Sequence, residues 1–92
     1  MKIKEGFILK DIAGESIVVP VGENLVDFGA IIVLNETGVF LWNLLQEEND
    51  EAGLLQAILS EYDIDEQAAT EDINSFLASL KENKLLNDAH AD

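Results

Sequence analysis

The fold is decided where strand patterns give way to helix patterns, at Gly29-Ala30-Ile31-Ile32-Val33-Leu34-Asn35-Glu36-Thr37-Gly38. The first six of these residues carry no charge and would be apolar on both faces of a strand, which is typical of a largely buried strand. Asn35 follows, and its side chain can accept hydrogen bonds from the free N–H groups of a first helical turn. The stretch therefore predicts a strand that leads directly into a capped helix.

Two further strands are predicted upstream. Residues 7–12 are rich in apolar side chains and end at a turn that contains Gly14, which can adopt a positive φ. Residues 16–21 follow at once and are β-branched, so the two segments predict a hairpin. Pro20 has no N–H to donate, which places it at a strand end or at a sheet edge.

Three helices are predicted downstream. The first begins after Asn35, and its residues 39–45 are apolar nearly all round the axis, which indicates a central, buried helix. Asp50 and Asp65 are N-cap candidates for the other two helices. The second helix carries an apolar stripe of Leu54, Leu55, Ile58, Leu59 and Tyr62, and the third carries one of Ala69, Ile73, Phe76, Leu77 and Leu80.

This order of elements predicts an α+β fold in which a three-stranded antiparallel sheet is followed by three helices, as in a winged helix-turn-helix. The 92 residues are 48% apolar, which is enough for the core of one domain over residues 1–92. We expect residues 5–86 to be ordered and the C-terminal tail to fray. The sequence begins without a signal-peptide pattern and lacks an apolar run of membrane-spanning length, so a cytoplasmic location is expected.

The distribution of charge argues against nucleic acid and membrane partners. The net charge is −14, and the chain has five lysines and no arginine. No basic residue falls between positions 11 and 80, because the lysines are Lys2, Lys4, Lys10, Lys81 and Lys84. A phosphate backbone or an anionic lipid surface needs several basic contacts. An acidic chain of this kind instead predicts a peptide partner that carries Lys or Arg.

Enzymatic chemistry is not indicated by the sequence, and no cofactor or metal is expected. There is no cysteine, and the only histidine, His90, lies in the polar tail. Asp63, Asp65 and Glu66 superficially resemble a calcium loop but lack its central glycine, so helix-capping acids explain them better. Gly-rich phosphate loops and nucleophile elbows are also missing.

Two other classes of small protein share part of this pattern. An acyl-carrier-like protein needs a serine at a helix start, whereas Ser75 and Ser79 fall within a helix, and the strand-rich first third conflicts with an all-helical fold. A DNA-binding winged helix fits the geometry. Its recognition helix would carry Glu66, Glu71, Asp72 and Glu82 against Lys81, and such a surface repels DNA.

Three stretches of the chain resemble the PqqD family, whose members recognise precursor peptides during the assembly of ribosomally made, modified peptides. They are Phe7-Ile8-Leu9-Lys10-Asp11-Ile12-Ala13-Gly14-Glu15-Ser16-Ile17-Val18-Val19-Pro20, Leu34-Asn35-Glu36-Thr37-Gly38-Val39-Phe40-Leu41-Trp42-Asn43-Leu44-Leu45, and Glu61-Tyr62-Asp63-Ile64-Asp65 with its continuation into Asp72-Ile73-Asn74-Ser75-Phe76-Leu77 and Leu85-Leu86. Lys84 departs from the family pattern, which commonly has glycine before the closing Leu-Leu, so Asn83 is expected to supply the left-handed cap.

The resemblance implies a non-enzymatic adaptor that captures a precursor (leader) peptide as an extra strand. The adaptor then presents the peptide to a modifying enzyme, often a radical S-adenosylmethionine maturase. By resemblance the peptide lies along the third strand, which is Gly29, Ala30, Ile31, Ile32, Val33 and Leu34, in a groove against the third helix. Independently, an open strand edge offers unpaired N–H and C=O groups to any extended segment.

Helical angles leave open which flank of the third helix lines that groove. Asp72, Phe76 and Ser79 form one flank and are favoured because they join an aromatic anchor to an acid; Thr70, Asn74 and Lys81 form the other. The alternative function is a winged-helix module that binds a protein partner through its helices, without a leader peptide. The uncharged strand edge also predicts a weak homodimer that leader peptide would dissociate.

Overall fold

A computed structural model describes residues 1–21 and 32–87 of the chain. The elements in chain order are β1 (Lys2–Ile3), β2 (Phe7–Ile12), β3 (Glu15–Pro20), β4 (Ile32–Leu34), α1 (Glu36–Leu44), α2 (Glu51–Glu61), α3 (Glu66–Glu82) and β5 (Leu86–Asn87). The antiparallel sheet has the order β2-β3-β4, and three helices follow it. The predicted α+β fold is therefore confirmed.

The hairpin between β2 and β3 closes through a two-residue turn. Ile12 pairs with Glu15, and the two residues between them both have positive φ, 54° at Ala13 and 84° at Gly14. This is the combination that a type I′ turn requires, because its twist matches that of the strands it joins. The prediction for Gly14 is confirmed, and Pro20 ends its strand as expected.

Each of the three predicted N-caps is present. The Asn35 side chain accepts from the Gly38 N–H at 2.8 Å, Asp50 accepts from Gly53 at 2.7 Å, and Asp65 accepts from Ala68 at 2.8 Å. Each cap satisfies one of the donors that a helix start leaves free. Asn35, Asp50 and Asp65 therefore fix where the three helices begin.

The core lies between the sheet and the three helices. All five residues of the predicted stripe on α3 are buried, and Leu41, Leu54 and Ile58 contribute from the other helices. A second sheet, not expected from the sequence, joins β1 to β5. The Ile3 amide donates to the Leu45 carbonyl at 2.9 Å, so this small sheet ties both ends of the described chain to the helices.

The end of α3 corrects one expectation. Asn83 has φ −94°, and Lys84 itself takes the left-handed conformation with φ 62°. The Leu85 amide donates to the Leu80 carbonyl and the Lys84 amide to the Lys81 carbonyl, which is a Schellman motif. Leu80 and Leu85 are both fully buried. Their packing fixes where the chain reverses, so the residue at position 84 must accept positive φ whatever its type.

Replacing Lys84 with glycine is expected to stabilise the fold by about 1 kcal/mol, because a side chain in the left-handed region is strained by about that amount. In a domain of this size such a gain raises Tm by roughly 4–8 °C. The measurement is chemical and thermal denaturation. Lys84→Ala removes the same charge but keeps a Cβ, so it should give no gain; equal stabilisation by both variants would attribute the effect to charge instead.

Candidate functional site

Within the residues that the structure describes, β2 and β4 are the two outer strands of the three-stranded sheet, and β4 is the one that lies beside α3. Which of its amides face outward follows from the hairpin. The residues that flank a two-residue turn form a hydrogen-bonded pair, and such pairs alternate along antiparallel strands. Ile12 and Glu15 form the first such pair, and every second pair after it is hydrogen-bonded. The bond from the Val21 amide to the Gly6 carbonyl, at 2.8 Å, agrees with this alternation. Along β3, the backbone groups of Ile17 therefore point toward β2.

The alternation continues into β4. The backbone groups of Ser16 and Val18 point away from β2, toward their register partners Leu34 and Ile32. Val33 lies opposite Ile17, so its N–H and C=O point to the side of β4 that faces away from β3. Val33 is also the most exposed of the large apolar residues described, at 56%. Its backbone is thus the donor and acceptor that β4 offers to an added strand.

A groove of about 420 Å³ runs beside this edge, between β4 and α3. Its apolar part is formed by Ile32, Leu34, Leu41 and Phe76, and its polar part by Asn35, Thr37, Asp72, Ser75 and Ser79. Phe76 is 8% exposed and Leu41 is fully buried, so the apolar part continues into the core. An extended peptide laid along β4 would find main-chain partners on one side and a half-apolar groove on the other.

The structure brings six of the nine predicted site residues together in this groove. Ile32, Val33, Leu34, Asp72, Phe76 and Ser79 all line it. Gly29, Ala30 and Ile31 lie outside the described residues. The favoured flank of α3 faces β4, and none of Thr70, Asn74 and Lys81 lines the groove.

A second cleft, of about 610 Å³, lies on the other side of the end of β4. Val33, Leu34 and Asn35 line both the groove and this cleft. One wall is an aromatic pair, Phe40 and Tyr62, whose rings meet edge to face with centroids 5.4 Å apart. The remaining lining residues are Gly14, Glu15, Ser16, Glu36, Val39 and Asn43.

The electrostatic character of this second cleft is negative. Partial burial raises the pKa of Tyr62 above its ordinary value of 10.0, and the charges of Glu36 and Glu61 raise it further. Tyr62 therefore stays a neutral phenol near pH 7, close to two carboxylates. Glu15 and Glu36 both line the cleft, and its lining contains no basic residue.

The sequence profile of the PqqD family, described as Coenzyme PQQ synthesis protein D, matches residues 8–86. This chain belongs to the PqqD family. No curated protein matches it at a significant level. Among solved structures, it is similar to TbiB1 in complex with the TbiA(beta) leader peptide, with a TM-score of 0.73, 28% identity and full coverage of both chains.

A second solved structure supports the same fold. Lasso peptide synthetase B1, complexed with the leader peptide, has a TM-score of 0.69 and 22% identity to this PqqD-family chain, over 95% of this chain and 96% of that one. At this identity the likeness concerns the fold alone.

Five of the groove residues were not predicted from the sequence as part of the binding site: Asn35, Thr37, Gly38, Leu41 and Ser75. Ser75 could have been found, because it follows Asp72 by three positions on the same face of α3. Gly38 has a steric role there. A Cβ at this position would lie 3.2 Å from the Leu34 Cβ, so glycine allows the first turn of α1 to lie close against β4.

Neither a metal-binding cluster nor a membrane-spanning helix is found among the described residues. Within residues 1–21 and 32–87, no three acidic or histidine side chains are placed to hold a metal ion. Over the same residues, none of the helices is long and apolar enough to cross a membrane.

Proposed function

We propose that this chain is a peptide-recognition adaptor. It captures the leader segment of a precursor peptide by strand addition to β4 and presents that peptide to a modifying enzyme. The observation that carries the proposal is the outward-facing backbone of Val33 beside the groove between β4 and α3. Strand addition gains affinity from main-chain hydrogen bonds and specificity from pockets for alternate side chains.

Family membership and one structural neighbour support this role. The profile match covers residues 8–86, and TbiB1, which is 28% identical to this chain, was solved in complex with a leader peptide. The adaptor role needs no chemistry of its own, which agrees with the lack of nucleophile and phosphate-loop motifs in the sequence. Its enzyme partner, by family resemblance, is a maturase such as a radical S-adenosylmethionine enzyme.

Residue-resolved NMR tests the proposal directly. Synthetic peptides that tile short precursor proteins encoded near this gene are titrated into ¹⁵N-labelled protein. We expect the largest amide shifts at Val33 and Leu34 and on the groove face of α3, at Ser75, Phe76 and Ser79. Shifts confined to α1 and α2 would contradict strand addition and support the alternative, a module that binds a partner through its helices.

The weak homodimer through residues 29–34 stays a prediction. A second copy and a leader peptide would use the same outward backbone groups of β4, so the two should compete. Titrations are therefore made at low protein concentration.

A further inference from the structure

We propose that the cleft lined by Glu15, Glu36, Phe40 and Tyr62 is a subsite for one Lys or Arg side chain of the bound leader peptide. The inference rests on the proposed function and deepens it, because it assigns a cationic residue to a fixed place beside the strand-forming segment. The cleft adjoins the groove at the last residues of β4.

The groove and the cleft form one continuous surface, and this indicates that the leader peptide supplies the side chain that occupies the cleft. Val33, Leu34 and Asn35 line the groove on one side and the cleft on the other. A peptide paired with Val33 therefore comes to the mouth of the cleft as it leaves the strand. All pairings in the sheet are antiparallel. An added strand that continues this pattern brings to the cleft the residues that precede its paired segment.

The chemistry of the cleft selects a cation. Glu15 and Glu36 supply negative charge, and within residues 1–21 and 32–87 neither carboxylate forms an ion pair. Phe40 and Tyr62 also line the cleft, and an ammonium or a guanidinium placed over an aromatic ring gains a cation–π contact. An apolar side chain would contact only the aromatic rings, and it would displace water from the carboxylates without compensating their charge. A planar guanidinium can stack and donate to a carboxylate at once, so Arg should bind better than Lys.

The charge of the whole chain alone does not account for such a preference. A net charge of −14 attracts any basic peptide, but that attraction is long-ranged and does not depend on which peptide position carries the charge. The cleft instead predicts dependence on one position. Only the cationic peptide residue that lies beside the end of β4 should contribute strongly to the affinity.

The first test uses a probe that needs no leader sequence. N-acetyl-arginine amide is titrated into the labelled protein and compared with N-acetyl-citrulline amide, which has the same shape without the charge. Saturable shifts at Val39, Asn43 and Tyr62 with the arginine probe alone are the expected result. Equal shifts with both probes, or arginine shifts spread evenly over the acidic surface of α3, would overturn the subsite.

The second test uses matched variants of exposed carboxylates. Glu36→Gln lies in the cleft and should weaken binding of the arginine probe about fivefold to tenfold, while Glu71→Gln on α3 should change it little. Both variants remove one negative charge. Equal effects of the two would attribute binding to net charge and overturn the proposal.

The third test separates this inference from the proposed function. In a leader peptide that binds β4, each basic residue is replaced in turn by citrulline. One position should lose about fivefold to tenfold in affinity, and Glu36→Gln should reduce that difference. Uniform small losses, with β4 shifts retained, overturn the subsite and leave leader capture standing. A leader that binds without any β4 shift overturns capture by strand addition to β4, and with it the placement of the cationic residue beside the end of β4.

Discussion

Replacing Val33 with proline is expected to weaken leader capture strongly and to leave the fold intact. The Val33 amide points away from β3, so proline removes no hydrogen bond of the existing sheet. It removes the outward donor, and its ring prevents an added strand from approaching closely, so the dissociation constant should rise by about 100-fold. Binding is measured by calorimetry with the tightest leader peptide, and folding by circular dichroism.

Two variants control for this change. Val33→Thr keeps both the N–H and the β-branched shape, so its affinity should stay close to that of the unaltered protein. Asp11→Pro places a proline on the opposite edge of the sheet, at an exposed position whose amide also faces away from β3. It should bind leader normally. Undiminished binding by Val33→Pro, or an equal loss with Asp11→Pro, would contradict docking at β4.

The sequence predicted those elements whose signals are local. The stripe from Ala69 to Leu80 repeats at helical spacing, and the Asn35, Asp50 and Asp65 caps are side-chain contacts over three residues. The hairpin follows from Gly14. In each case the residues that form the interaction are neighbours in sequence, so a pattern of residue types is enough to predict it.

Features that depend on tertiary packing were not predictable in this way. The strands Lys2–Ile3 and Leu86–Asn87 are too short to show any periodicity and pair with each other from the two ends of the fold. The left-handed turn falls on Lys84 because Leu80 and Leu85 must both enter the core. A lysine at position 84 does not indicate a left-handed conformation.

The groove and the second cleft also depend on tertiary packing, and the sequence alone did not predict them in full. Helical angles separated the two flanks of α3, but only the packing of α3 beside β4 decides that Asp72 and Ser79 face the groove. Phe40 and Tyr62 were assigned to buried helix faces from their spacing. The structure leaves both partly exposed, because α1 and the end of α2 meet at the rim of the sheet. A cleft formed by separate elements has no signature in one stretch of sequence.

The other large effect is expected from Ser75→Trp, which places a bulky side chain in the groove. Ser75 is exposed and lines the groove, so the indole can occupy the space of the peptide without displacing the core. Ser and Trp have similar helix propensities, and α3 should keep its stability. We expect the affinity for leader peptide to fall about 30-fold, since the added ring must be moved before the peptide can bind.

Asn74→Trp is the matched control, since it adds the same side chain one position earlier. Asn74 is exposed, lies on the opposite flank of α3 and does not line the groove. Its substitution should leave leader affinity nearly unchanged. An unchanged affinity in Ser75→Trp would mean that the peptide does not lie between β4 and α3. Equal losses in both variants would indicate binding across the exposed faces of the helix, as the alternative function requires.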